Sequence, residues 1–170
     1  MTSSCDTLRV IRRRRSVRHF LRKDLPAPVV RRLLEAGRWA PSGLNNQPWR
    51  FCVIKDAALR GRLAALTAYG AVIRRAPLVI AVALDNADSY NREKDLMAVG
   101  AAIQNMLLAA VCLKLGACWL GEIVNKKEQA ARLLGWTTDL ELTAVLAVGY
   151  PARPSGKGRR RPLGELILRV

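Results

Sequence analysis

Pro41-Ser42-Gly43-Leu44-Asn45-Asn46-Gln47-Pro48-Trp49 joins a helical pattern to a strand pattern. Two prolines exclude it from a helix interior, because proline lacks the N–H and clashes with the preceding turn. Gly43 offers positive φ at little cost, and the Asn side chains can bond nearby backbone. The residues thus specify a rigid polar loop with exposed amide donors beside an aromatic. Loops held between regular elements are where binding groups tend to sit. A plain helix-to-strand connection would use the same residue types.

Before the loop, Pro28 suits a first helical turn. Val29, Leu33, Leu34, Ala36 and Ala40 then recur near a period of 3.6, with Arg31, Arg32, Glu35 and Arg38 mostly outward. Gly37 inside that helix costs about 1 kcal/mol relative to Ala and suggests close packing, at a dimer contact. After the loop, Trp49–Ile54 reads as a strand. Asp56 can cap a helix over 57–68, with Leu59, Leu63 and Leu66 inward. Pro77–Leu84 (PLVIAVAL) is a continuous apolar run, fit for a strand buried on both faces.

Residues 92–115 form the longest predicted helix, closed by Gly116. Met97, Gly100, Ala101, Gln104, Leu108 and Val111 give it an apolar surface that belongs in a core or a subunit interface. Ala117–Val124 reads as a strand with Gly121 inside it, and a strand glycine often marks close backbone approach. Asn125 and Glu128 suggest a capping box for a helix over 126–134. Leu140–Tyr150 is a fourth strand. The tail, 151–162, is rich in Pro, Gly and Arg, and 163–170 could pair as a strand. Helices alternate with strands around one sheet, which bounds the fold to α/β or α+β.

With 170 residues, 51% of them hydrophobic, the chain suits one domain, 1–170, with a real core. The net charge of +16, from 29 basic and 13 acidic residues, predicts attraction to anions such as phosphorylated cofactors or nucleic acid. Ten of the basic residues fall in the first 32 positions. Residues 7–15 read as a short basic helix with Leu8 and Ile11 inward. Arg14 to Phe20 follow as an extended segment whose Arg14, Ser16 and Arg18 could cradle an anion or simply form a solvated arm. The cysteines show no C-x-x-C pairing. Cys52, Cys112 and Cys118 lie in apolar runs and read as buried hydrophobes in a reducing compartment. A single His and no ligand spacing argue against zinc, and His19 itself reads as structural. The basic N-terminus lacks a signal peptide's apolar region. Gln104, Asn105 and Lys114 interrupt 96–121, which argues against a membrane span. The expected location is cytoplasmic.

The Arg14-Arg15-Ser16-Val17-Arg18 segment, the Pro41–Trp49 loop, the Gln104-Asn105-Met106 through Gly121 stretch and the arginine tail occur in one order. Together they resemble the FMN-dependent nitroreductase family, from about Ile11 to Ile167. The resemblance implies an α+β, three-layer α-β-α fold with a mixed, mainly antiparallel central sheet. It implies an intertwined homodimer with FMN at the interface, the tail 151–170 packing on the partner. Arg14 and Ser16 would hold the FMN phosphate and Arg18 would face the pyrimidine edge of the ring. Pro41, Ser42, Gly43 and Asn45 would wrap the flavin from the other subunit. Gly121 and Glu122 would approach N5 through their backbone. Arg160 would serve as the tail's phosphate ligand, with Lys157, Arg159 and Arg161 as alternatives. Arg15, Gln47 and Leu120 fall within the same motifs and are carried with them.

The implied activity is ping-pong reduction of nitroaromatic, quinone or similar small-molecule acceptors by NADH or NADPH. Its chemistry is centred on the flavin, with no catalytic side chain and no metal. Only Asn86 to Asp95 separate a strand from the long helix, so any lid is short. Two other readings compete: a basic nucleic-acid-binding protein, or a flavin binder without nicotinamide turnover. Nucleic acid is disfavoured because the three tyrosines and two phenylalanines do not interleave the basic runs as a stacking platform would.

Overall fold

The computed structural model describes residues 7–168. Four strands form one sheet: β1 (Trp49–Ile54), β2 (Leu78–Asp85), β3 (Gly116–Leu120) and β4 (Leu140–Gly149). Their spatial order is β1-β2-β4-β3, and every neighbouring pair is antiparallel. Among the described residues, the parallel component is one bridge, Ser16 to Ala117, beside β3.

β2 carries no polar residue from Leu78 to Leu84, so both faces must be covered, and all seven are buried. Leu78, Ile80, Val82 and Leu84 join Ala144, Leu146 and Val148 of β4 under α2 (Ala27–Arg38) and α5 (Arg92–Cys112). Val79 and Ala81 join Leu142, Val145 and Ala147 on the opposite face. There α3 (Ala57–Ala64), α4 (Gly70–Arg75) and α6 (Lys127–Leu134) close the core. A register shift between Val82 and Ala83 explains why Leu142 changes face. The result is the expected three layers.

α5 is long and apolar because it packs on both the sheet and α2. Val99, Ala102, Ile103 and Met106 are buried against them. The stripe named from sequence lies on its other side. Met97 is 69% exposed, while Gly100, Ala101, Gln104 and Leu108 are half-buried. Gly37 of α2 serves this packing within one chain. A Cβ there would sit 2.9 Å from Met106 Cγ and 3.0 Å from Phe51 Cζ. The suggested dimer contact is therefore replaced by an intrachain one.

Several local expectations are corrected. In α1 (Thr7–Arg13), Val10 is buried, whereas Leu8 and Ile11 are exposed. Asp56 does cap α3, accepting from Leu59 N–H at 2.6 Å, but the helix stops at Ala64 and α4 follows after a turn. Lys114, not Gly116, makes the left-handed turn after α5, at φ 57°. β3 ends at Leu120, so Gly121 lies just beyond it, and a 3-10 turn spans Glu122–Lys126. No side chain caps α6; Gly135 closes it at φ 68°. Leu163–Leu166 is an exposed 3-10 turn rather than a strand, and 169–170 lie outside the described residues. Cys118 is buried as expected, but Cys52 is half-buried and Cys112 exposed.

One ion-pair cluster ties α5, α6 and β4. Arg92 donates to Glu141 at 2.7 and 3.0 Å, and Lys127 Nζ at 2.7 Å. These donors, Arg92 first, pull the Glu141 carboxyl from 4.5 down to about 2. A depressed carboxyl pKa stabilises the fold above its ordinary value, and that contribution is lost as pH falls toward the folded value. We expect Glu141→Gln to flatten the loss of stability between pH 4.5 and 2, read by chemical denaturation across that range. In the core, Ile80→Ala should cost about 3 kcal/mol, measured the same way at neutral pH.

Candidate functional site

Residues 14–20 are extended, as read from sequence, and are stapled between the edge of β3 and the exit of β4. Val17 N–H donates to Ala117 O at 3.0 Å, Leu21 N–H to Tyr150 O at 2.9 Å, and Ala152 N–H to His19 O at 3.0 Å. The tail then runs back along the segment. Arg15 holds it there. Its Nε donates to Gly156 O at 3.2 Å, and its Nη1 to Arg12 O and Arg14 O at 2.7 Å. A Cβ at Gly158 would lie 2.7 Å from the Arg15 Cζ, so glycine lets the tail pass the guanidinium.

Between segment and tail lies an open cleft of about 520 Å³, lined by residues 14–19, 153–157 and Arg160. Arg14, Arg15, Arg18, Arg153, Lys157 and Arg160 contribute six cations. No carboxylate lines the cleft, and none of the six has an acidic partner among the described residues. Forked guanidiniums without internal counterions, together with the Ser16 hydroxyl, suit a phosphate. The donor set therefore fits an FMN phosphate.

Arg18 also lines a second cleft of about 280 Å³, with Tyr69, Cys118, Trp119, Leu120, Gly121 and Glu122. One guanidinium thus joins the anion cleft to a smaller, aromatic-walled one. Glu122 organises that second cleft with its side chain, a role the sequence reading gave only to its backbone. Thr67 Oγ1 donates to its carboxylate at 2.5 Å and Ala68 N–H at 3.1 Å. The Thr67 bond leads the causes that hold this carboxyl below its ordinary value.

The Pro41–Pro48 loop lines neither cleft. Ser42 Oγ accepts from Gln47 N–H at 3.0 Å, and Gln47 Nε2 donates to Asn45 O at 3.1 Å. Positive φ falls not on Gly43 but on Leu44, Asn45 and Gln47, at 55°, 54° and 49°. Gly43 instead makes room: a Cβ there would lie 1.9 Å from the Tyr90 hydroxyl. Behind the loop sits Asp95, fully buried in the first turn of α5. Burial raises its pKa, but hydrogen bonds from Ser89, Asn46 and the Asn91 and Tyr90 amides outweigh that and leave it lowered. Asp95 was not singled out from sequence. It is the last of four consecutive charged residues that open α5, and nothing in that run sets it apart from Glu93.

The structure therefore brings Arg14, Arg15, Ser16, Arg18 and Arg160 to one cleft, and Leu120, Gly121 and Glu122 to the cleft sharing Arg18. Pro41, Ser42, Gly43, Asn45 and Gln47 form a separate unit, and Arg161 lines neither cleft. Two halves of one expected site are thus apart within a single chain.

The sequence model of the nitroreductase family matches residues 11–69 and 63–150. The chain belongs to the nitroreductase family. Members of known structure agree along its length. One, assigned as a nitroreductase from Desulfovibrio desulfuricans and solved with FMN, is 47% identical, with TM-score 0.93 over 99% of this chain and 98% of its own. A protein assigned as an NADH oxidase from Clostridium acetobutylicum is 30% identical, with TM-score 0.87 over 94% and 97%. A relative assigned as an NADH dehydrogenase/NAD(P)H nitroreductase from Methanothermobacter thermautotrophicus is 30% identical over 156 residues, 91% of this chain and 82% of its own.

This nitroreductase chain keeps its only histidine in the cationic cleft. Desolvation first, then Arg153 and Arg75, hold the His19 imidazole below its ordinary value of 6.5. Protonated His19 is thus disfavoured in the fold, and an anion in the cleft offsets the two arginines. We expect phosphate to raise the His19 pKa, seen by NMR titration of its ring protons with and without phosphate. A pKa indifferent to phosphate would count against anion binding there.

Proposed function

We propose that this protein is an FMN-dependent oxidoreductase that takes electrons from NADH or NADPH and passes them to nitroaromatic, quinone or similar acceptors. The observation carrying this reading is the cleft with six cations and no carboxylate, joined through Arg18 to the Gly121–Glu122 cleft. Arg14, Ser16 and Arg160 would hold the phosphate, with Lys157 and Arg153 beside them. Arg18, at the junction, would lie against the ring, where a cation favours negative charge arriving on reduction. The main chain of Gly121 and Glu122 would line the ring's reactive side, held by the Glu122 bonds to Thr67 and Ala68. FMN, when bound, supplies the electron-carrier chemistry, and the protein supplies binding, orientation and electrostatics. Donor and acceptor would use the same open cleft in turn, a ping-pong order.

We further propose a cytoplasmic homodimer with the cofactor between subunits. Two observations support the dimer. The 41–48 loop lines neither cleft of its own chain, so it is available to a partner's. The outer stripe of α5 around Met97, Gly100 and Ala101 stays partly open, although its composition suits burial. The exposed tail, with Leu163 at 71% and Leu168 at 92%, would pack on the partner as well.

The test is the visible spectrum of protein mixed with FMN and desalted, then followed without oxygen after NADH or NADPH is added. A retained flavin band that bleaches supports the reading; a colourless protein overturns it. Arg18→Ala should weaken FMN binding or make the bound flavin harder to reduce. Sedimentation of the holoprotein should give a dimer.

A further inference from the structure

Asp95 is the one polar side chain wholly buried among the described residues, and it lies outside both clefts. A local explanation is at hand. Its Oδ2 accepts from Ser89 Oγ at 2.7 Å, Tyr90 N–H at 3.1 Å and Asn91 N–H at 3.3 Å, which closes the turn into α5. That explanation uses one oxygen. The other, Oδ1, accepts from Asn46 Nδ2 at 3.0 Å, 49 residues away. The same Asn46 nitrogen donates to Asp88 O at 3.0 Å. Asn46 therefore spends both amide protons on the 88–95 segment, while its buried Oδ1 has no donor. These two bonds alone, among those described, fix which way the amide faces.

The loop needs such a hold. Leu44, Asn45 and Gln47 occupy the left-handed region, which asparagine tolerates but the Leu44 and Gln47 side chains disfavour. Asn46 sits in the middle of them. Residues in such conformations persist only where their surroundings over-determine them. The second contact between the same segments, Tyr90 against the Cβ-free face of Gly43, points the same way.

We infer that Asp95 is a positioning residue for the cofactor site, holding the strained 42–47 loop through Asn46 in the shape that binds. The inference rests on the flavin reading above. It assigns Asp95 no contact with cofactor or substrate. Asn46 is its direct bond to the loop, with Tyr90 against Gly43 as a lesser route, so Asp95 and Asn46 act largely as a unit.

The test uses the holoprotein and four variants: Asp95→Asn, Asn46→Ala, the double variant and Ser89→Ala. FMN affinity is read by quenching of flavin fluorescence, and fold stability by the melting temperature of the apoprotein. Asp95→Asn sets an NH2 group against the donors its carboxylate served, whereas Asn46→Ala keeps every other bond to Asp95. Each should weaken FMN binding about tenfold, as loss of one charge-assisted hydrogen bond does. The double variant should be no weaker than the weaker single one. Ser89→Ala should lower the melting temperature and leave FMN affinity unchanged. Asp95→Asn that melts earlier yet binds FMN like the wild type would overturn the inference, as would additive losses in the double variant. If Asp95→Asn does not fold, unchanged affinity in Asn46→Ala overturns it alone. A wild type that keeps no FMN defeats the flavin reading itself, a different outcome from variants that bind as well as it does.

Discussion

A strand with no polar side chain from Leu78 to Leu84 cannot face water on either side, and the rest of the fold answers that constraint. β1 and β4 flank β2 by antiparallel pairing, α2 and α5 cover one face, and α3, α4 and α6 the other. Covering both faces leaves polar groups only the edges and the loops. The free edge of β3 takes the Arg14–Phe20 segment, and the exit of β4 leads the tail back beside it. The anion cleft is thus built at the sheet's edge, from a segment anchored in the core by Phe20 and Val17 and from the tail beside it.

No carboxylate lines the cleft, and several of the acids are engaged elsewhere. Glu35 pairs with Arg38, Asp85 and Asp88 with Arg50, and Glu141 with Arg92 and Lys127. Asp95 and Glu122 are held by hydroxyls, amides and backbone N–H groups. Apart from Glu35–Arg38, which lies within α2, these partnerships fix turns or join elements. Exposed pairs like these contribute little stability singly. Arg14, Arg18 and Arg160 are left without an acidic partner among the described residues, and the cleft they line concentrates part of the chain's positive charge.

The parts of the fold legible in the sequence were those with a period or a hard chemical sign. The unbroken run 78–84 announced a central strand, and Asp56 announced a cap. What escaped was decided by contacts between distant positions. Gly43 looked like the loop's positive-φ residue, yet its use is the space it leaves for Tyr90. Leu44 and Lys114 gave no sign that they would adopt positive φ. Asn125 and Glu128 had the spacing of a capping box, but Asn125 bonds Glu122 instead. The motif residues 14–18 and 120–122 could be placed from order alone, whereas the separation of the 41–48 loop from both clefts needed three dimensions.

That separation gives the strained loop its meaning. Left-handed backbone costs about 1 kcal/mol or more for side chains such as those of Leu44 and Gln47, so this run of three left-handed residues in four positions needs outside support. The compensating bonds come from Ser42 within the loop and from the 88–95 segment behind it. Neither source belongs to the cleft of the same chain. A loop kept rigid at a cost, but away from its own cleft, fits the proposed role of meeting a partner's site. Rigidity held in advance lowers the ordering cost of binding. In the homodimer proposed above, the second subunit's cation-lined cleft would be a surface on which such a loop acts without rearranging.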